Sequence, residues 1–254
     1  MDNALIMLML LLIVLVGFVA NRLGYMGGDF DKKFSSIIVD ITCPALILSS
    51  VMGDTLPDRR LIPTLLGVGF ITYALLSVLA FTLPKLYCKG TGLEGIHGFA
   101  TMFGNVGFIG YPIVASIFGP TAVFYAAILN VPNTLFIFTA GTTLIAGNQE
   151  RRGFNWKILV CSSMIAAYLA ILIVALGIDN IPKVIAQPLT MIGNITVPGA
   201  LLIIGSSLAQ IPARQILGNR RVYITTALRL VVVPVTLFFL FSWMGFNTLV
   251  VDIN

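Results

Sequence analysis

Charge is what this chain has least of. Lys, Arg, Asp and Glu together make up 10% of its 254 residues against 58% apolar, and the charges fall between long apolar runs, so no soluble domain fits beside those runs. Cysteine is scarce as well. Cys43 and Cys161 lie inside apolar runs and Cys88 in a connection, an odd number with neither a disulfide framework nor metal-ligand spacing. There is one histidine, His97. The sequence holds no HExxH, no GxSxG and no pair of aspartates inside apolar runs to share a proton, so an intramembrane enzyme is disfavoured. The net charge of +5 is spread through short loops with no interleaved aromatics, so nucleic acid is not expected as a partner.

What is present is apolar length. About 20 apolar residues carry a helix across roughly 30 Å of hydrocarbon. Eight stretches approach that length, near 4–20, 33–52, 61–83, 96–118, 121–146, 158–177, 184–209 and 222–243. The expected fold is therefore an all-α, polytopic membrane protein in a lipid bilayer. No basic residue precedes the first stretch, which reads as a span rather than a cleaved signal peptide. Eleven Lys and Arg lie in connections after odd-numbered spans, among them Arg22, Lys85, Arg151 and Arg221, against Arg59, Arg60 and Lys183 on the other side. That asymmetry places the odd-numbered loops in the cytosol and the N-terminus outside the cytoplasmic membrane.

The sequence also repeats itself. Asp40-Ile41-Thr42-Cys43-Pro44 is answered by Asn194-Ile195-Thr196-Val197-Pro198 at an offset of 154, and Leu56-Pro57-Asp58-Arg59 by Ile211-Pro212-Ala213-Arg214 at 155. Span two would thus recur as span seven. Five is odd, so the second copy enters from the opposite face, an inverted repeat of the kind secondary transporters use. The halves are expected at 1–147, a first repeat of five spans, and 148–254, a second repeat with three. A partner for the segment 104–112 would fall near 259–267, so the chain reads as a fragment of a five-plus-five design.

The fourth run does not read as an unbroken helix. Gly104-Asn105-Val106-Gly107-Phe108-Ile109-Gly110-Tyr111-Pro112 packs three glycines, an asparagine and a proline into nine residues. Glycine weakens helix, and Pro112 lacks an N–H and crowds the Phe108 carbonyl. A half-helix from Ile96 to Phe103 rises about 12 Å, which puts the break near the middle of the hydrocarbon layer. Backbone freed at that depth is costly unless protein, water or a solute satisfies it. N–H groups opening the second half-helix, with the Asn105 amide, favour a carboxylate; the dipole adds about 0.3–2 kcal/mol. Gly104, Asn105, Val106, Gly107, Gly110 and Pro112 are the candidate substrate-binding residues. Close helix packing is the competing reason for the glycines.

Pro44 and Pro198 each follow a polar residue by four, Asp40 and Asn194, and remove the hydrogen bond to its carbonyl. With the hydroxyls of Thr42 and Thr196, the freed carbonyls either line a path for H⁺ or Na⁺ or are satisfied within a kink. These six residues are the candidates for ion coupling or support. Asp40 lies roughly 9 Å inside the cytosolic end of its span, where a carboxylate is costly unless paired or wetted; coupling or pairing is the expectation, and snorkelling to the interface the alternative. Arg229, at similar depth in the eighth run, reads as a snorkelling side chain or as the partner of Asp40. In the fifth run Pro132 frees the Ile128 carbonyl, and Asn130 is the candidate for a central cavity. His97 reads as interfacial.

On Pro44-Ala45-Leu46-Ile47 and on the run Asn105 to Pro112, the chain resembles the auxin efflux carrier family, which includes malate and malonate permease-like proteins. The likeness covers nearly the whole chain. It implies a carrier, not an enzyme, of ten spans in which spans four and nine break and cross at mid-membrane around an organic anion. It also implies a homodimer and no cofactor beyond a coupling H⁺ or Na⁺. More distantly the architecture is similar to sodium-coupled bile acid symporters. A channel or a solute-sensing receptor is the remaining alternative.

Overall fold

The computed structural model describes residues 3–53, 56–146, 160–212 and 220–243, and all regular structure among them is helical. Helix α1 (Asn3–Arg22) is the first span. α2 (Gly28–Ile37) passes through a π-turn at Ile38–Thr42 into α3 (Cys43–Ser49). The π-turn sits just before Pro44, where the Cys43 N–H reaches back to the Ile38 carbonyl. α4 (Leu61–Thr82) and the single turn α5 (Pro84–Tyr87) follow. α6 (Glu94–Met102) and α7 (Tyr111–Phe118) are the two parts of the fourth run. α8 (Ala122–Phe136) continues through a π-turn at Ile137–Gly141 to α9 (Thr142–Ala146). α10 (Ser162–Leu176), α11 (Lys183–Gly193) and α12 (Thr196–Gln210) come next. Last are α13 (Arg220–Ala227), a π-turn at Leu228–Val232 and α14 (Val233–Trp243).

Among the described residues, five helical stretches are long and apolar enough to cross a membrane: Ala4–Arg22, Leu61–Tyr87, Ala122–Ile145, Lys183–Gln210 and Arg220–Trp243. That is fewer than the eight expected, for three local reasons. The helix that contains the second run begins at Gly28 and carries Asp29, Asp31, Lys32, Lys33 and Asp40 along α2 and its π-turn. The fourth is broken. The sixth is described only over the 15 residues of α10.

The chain forms two compact units, each discontinuous in sequence. The first comprises Met1–Arg60, Asn105–Ala127 and Val160–Ile216. Its centre is the close pairing of α1 with α12: a Cβ on Gly17 would overlap the Leu202 main chain, and one on Gly205 the Val14 carbonyl. Small residues that let backbones approach are the usual device for packing helices where lipid removes the hydrophobic drive. α7 adds Ile113 and Ile117 to Ile6, Leu10 and Leu201, and Gly193 of α11 lies against Leu46 of α3. The second unit comprises Leu61–Gly104, Ile128–Leu159 and Leu217–Asn254. Here α6 passes close to α4 and α9, Gly98 facing the Ala80 carbonyl and Gly95 that of Leu144. Tyr73, Leu76, Met102, Phe103, Leu144 and Val233 form its core. The boundary expected at 147/148 lies outside the described residues, as do Ala213 and Arg214 of the second repeat match and the loop residues Arg151, Arg152 and Lys157.

Candidate functional site: the break in the fourth span

α6 stops at Met102. Phe103 turns to extended backbone (φ −109°, ψ 132°) while its N–H still reaches the Phe99 carbonyl at 2.9 Å. Residues 103–105 have no helical structure. The chain rewinds through a π-turn at Val106–Gly110, where the Asn105 carbonyl accepts from Ile109 at 3.0 Å and Gly110 at 3.2 Å. Pro112 then sits in the first turn of α7, where a missing N–H costs nothing. The irregular stretch is thus three residues of coil followed by a wide, under-wound π-turn. Gly104 and Asn105 are exposed, Val106 and Gly110 half-buried, and Pro112 buried; Gly107 lies in the π-turn.

The end of α6 is occupied by a side chain. Arg229, in the π-turn between α13 and α14, donates from Nη1 to the carbonyls of Thr101 at 3.2 Å and Met102 at 3.1 Å. The last carbonyls of a helix have no partner within it, and the end carries about half a negative charge. A guanidinium there answers both. The hydrogen bonds described for Arg229 go to main chain within its own unit. Residue types carry no signal for this, because every residue bears a carbonyl.

In α8 the Asn133 amide donates to Asn130 Oδ1 at 2.7 Å. Asn133 is 3% exposed and its Oδ1 has no hydrogen-bond partner among the described residues, whereas Asn130 is half-buried. Asn130 is thus the more accessible of the two, and its oxygen is held by Asn133.

The repeat-related residues separate into two kinds. Thr42 and Thr196 are buried and meet, Thr196 donating to Thr42 Oγ1 at 2.9 Å and Thr42 to the Ile38 carbonyl at 3.2 Å. Asp40, Asn194 and Pro198 are exposed and Pro44 half-buried. The structure joins the threonines and leaves the polar residues before the prolines on the surface.

Two polar clusters escaped the sequence reading. Asp31 in α2 is buried, its Oδ1 accepting from the Gly27 N–H at 2.9 Å and its Oδ2 from Ser206 at 2.5 Å and Gln210 at 3.0 Å. Asn21 donates to Ser206 at 2.9 Å, so the cluster fastens α1, α2 and α12. His97, expected at an interface, is 9% exposed and meets Thr225 of α13 through Nδ1 at 2.6 Å. Both clusters link residues more than 120 positions apart, beyond any local pattern.

A polytopic helical protein with an interrupted span is the class these features define. Residues 5–155 and 152–253 match the model of the membrane transport protein family, to which the chain belongs; this is the group its motifs resemble. It is 26% identical over 242 residues to an uncharacterized transporter of Methanocaldococcus jannaschii, covering 92% of this chain and 77% of that protein. It is 29% identical over 155 residues to an uncharacterized transporter of Methanothermobacter thermautotrophicus, covering 57% of this chain and 49% of that one.

Proposed function

We propose that the chain carries a small organic anion, with a carboxylate as the recognised group, across the cytoplasmic membrane by alternating access about the break in span four. The observation that supports this most is the loss of helix at residues 103–105 within an apolar run of a transporter-family protein. Opened backbone at membrane depth persists where protein, water or solute satisfies it. Gly104, Asn105, Val106, Gly107, Gly110 and Pro112 would surround the solute, with Asn130 nearby in function. No catalysis is assigned, and the driving force would be an H⁺ or Na⁺ gradient.

The test is uptake into liposomes holding the purified chain. Labelled malate, acetate and an indole acid are each offered under imposed H⁺ or Na⁺ gradients, beside their neutral amides. Saturable uptake of a carboxylate, but not of its amide, is the expected result. Flux that never saturates would make the protein a channel, and no flux of any carboxylate would end the anion reading.

A further inference from the structure

We propose that the Nη2–Nε edge of Arg229 is a carboxylate receptor, and that residue 104 is glycine because that edge has to stay open. The inference rests on the organic-anion reading and names the group that recognises the anion.

A bare C-terminal end of α6 would repel an anion arriving at the break, since a helix ends in partial negative charge. Arg229 reverses that sign. Both hydrogens of Nη1 are committed to the Thr101 and Met102 carbonyls, which fixes the plane and direction of the guanidinium. Nη2 and Nε have no hydrogen-bond partner among the described residues, and no acidic side chain pairs with Arg229 among them. An arginine inside an apolar span is expensive and ordinarily finds a counter-charge. Here the missing counter-charge is the cargo. The Nε–H and one Nη2–H point in parallel, the fork that matches the two oxygens of a carboxylate.

Gly104 supplies the second observation. A Cβ there would lie 3.0 Å from Nη2 and 3.9 Å from Nε, along that same free edge. The backbone does not demand glycine, because Gly104 is not among the glycines with positive φ. Closeness to the guanidinium explains the residue, since a methyl group would press on that edge; conformational freedom does not.

The full chain, in detergent micelles, is titrated with malate, acetate and an indole acid, each beside its neutral amide, following the midpoint of thermal unfolding. The wild type is expected to shift with at least one carboxylate and with no amide. Arg229→Lys keeps the charge and can cap a carbonyl but lacks the fork, and Gly104→Ala keeps Arg229 but crowds its free edge. Each is expected to need at least tenfold more carboxylate for the same shift. An Arg229→Lys protein that folds and binds as the wild type does overturns the receptor and leaves the carrier reading standing. If Arg229→Lys does not fold, Gly104→Ala decides: unchanged affinity overturns the proposal. A wild type that no carboxylate shifts overturns both readings.

Discussion

Thr196 gives its hydroxyl hydrogen to Thr42, and Thr42 passes its own to the Ile38 carbonyl. The two threonines hold the same place in the two copies of the repeated motif, 154 residues apart. Residues equivalent under a two-fold operation touch only beside its axis, as in any isologous contact. Such a contact is compatible with the inverted repeat expected from the sequence.

The direction of donation makes the two threonines unequal. Thr42→Val leaves the buried Thr196 hydroxyl without an acceptor, which costs about 1–3 kcal/mol. Thr196→Val removes only a donor, and Thr42 still reaches Ile38, so its effect is the smaller. The double variant is expected to be no less stable than Thr42→Val alone. Denaturation of the four proteins in one detergent checks this; simple additivity would mean that the hydroxyls do not act as a chain.

Helical class and the break in span four were legible because apolar length and a run of Gly, Asn and Pro have direct backbone consequences. Pro112 was readable as an opening turn for the same reason. The π-turns at Ile38–Thr42, Ile137–Gly141 and Leu228–Val232 were not, since five-residue windings leave no compositional mark. Nor were the main-chain partners of Arg229, because sequence shows side chains and hides free carbonyls.

Gly17 and Gly205 set how near α1 and α12 approach. Alanine at either would collide with main chain, which cannot move aside as a side-chain tip can. Gly17→Ala and Gly205→Ala are each expected to lose about 1–3 kcal/mol or more by overpacking. Gly67, inside α4 with open space where a Cβ would go, is the control: Gly67→Ala should gain roughly 0.5–1 kcal/mol from helix preference. Equal behaviour of the three in thermal unfolding would contradict the close approach.

Thr225 Oγ1 gathers three contacts: His97 Nδ1 at 2.6 Å, the Tyr87 hydroxyl at 2.9 Å and the Arg221 carbonyl at 3.0 Å. Thr225 has one hydrogen. Given to the carbonyl, it leaves the oxygen to accept from Tyr87 and from His97, which puts a proton on Nδ1. Thr225→Val strands both donors, at about 1–3 kcal/mol for each buried group, while Thr225→Ser keeps the arrangement. Nitrogen NMR of the single histidine reads the tautomer, and a proton on Nε2 alone would refute the assignment.

Glu94 opens α6, and its carboxylate accepts from the Gly90 N–H at 2.8 Å. Its own N–H lowers its pKa most, partial burial works against this, and the N–H groups of Gly90, Thr91 and Gly92 add to the lowering. A depressed carboxylate contributes stability that is fully present above its ordinary pKa and is lost as pH falls through the folded value. The turn from Gly90 to Glu94 should therefore hold at neutral pH and loosen below about pH 4, where an ordinary Glu is already protonated. Hydrogen exchange at the Gly90 amide, corrected for the intrinsic pH dependence, is the readout. Protection is expected to drop on acidification in the wild type and to be low and nearly flat in Glu94→Gln. Protection that survives in Glu94→Gln at both pH values would show that the charge of the carboxylate does not hold the turn.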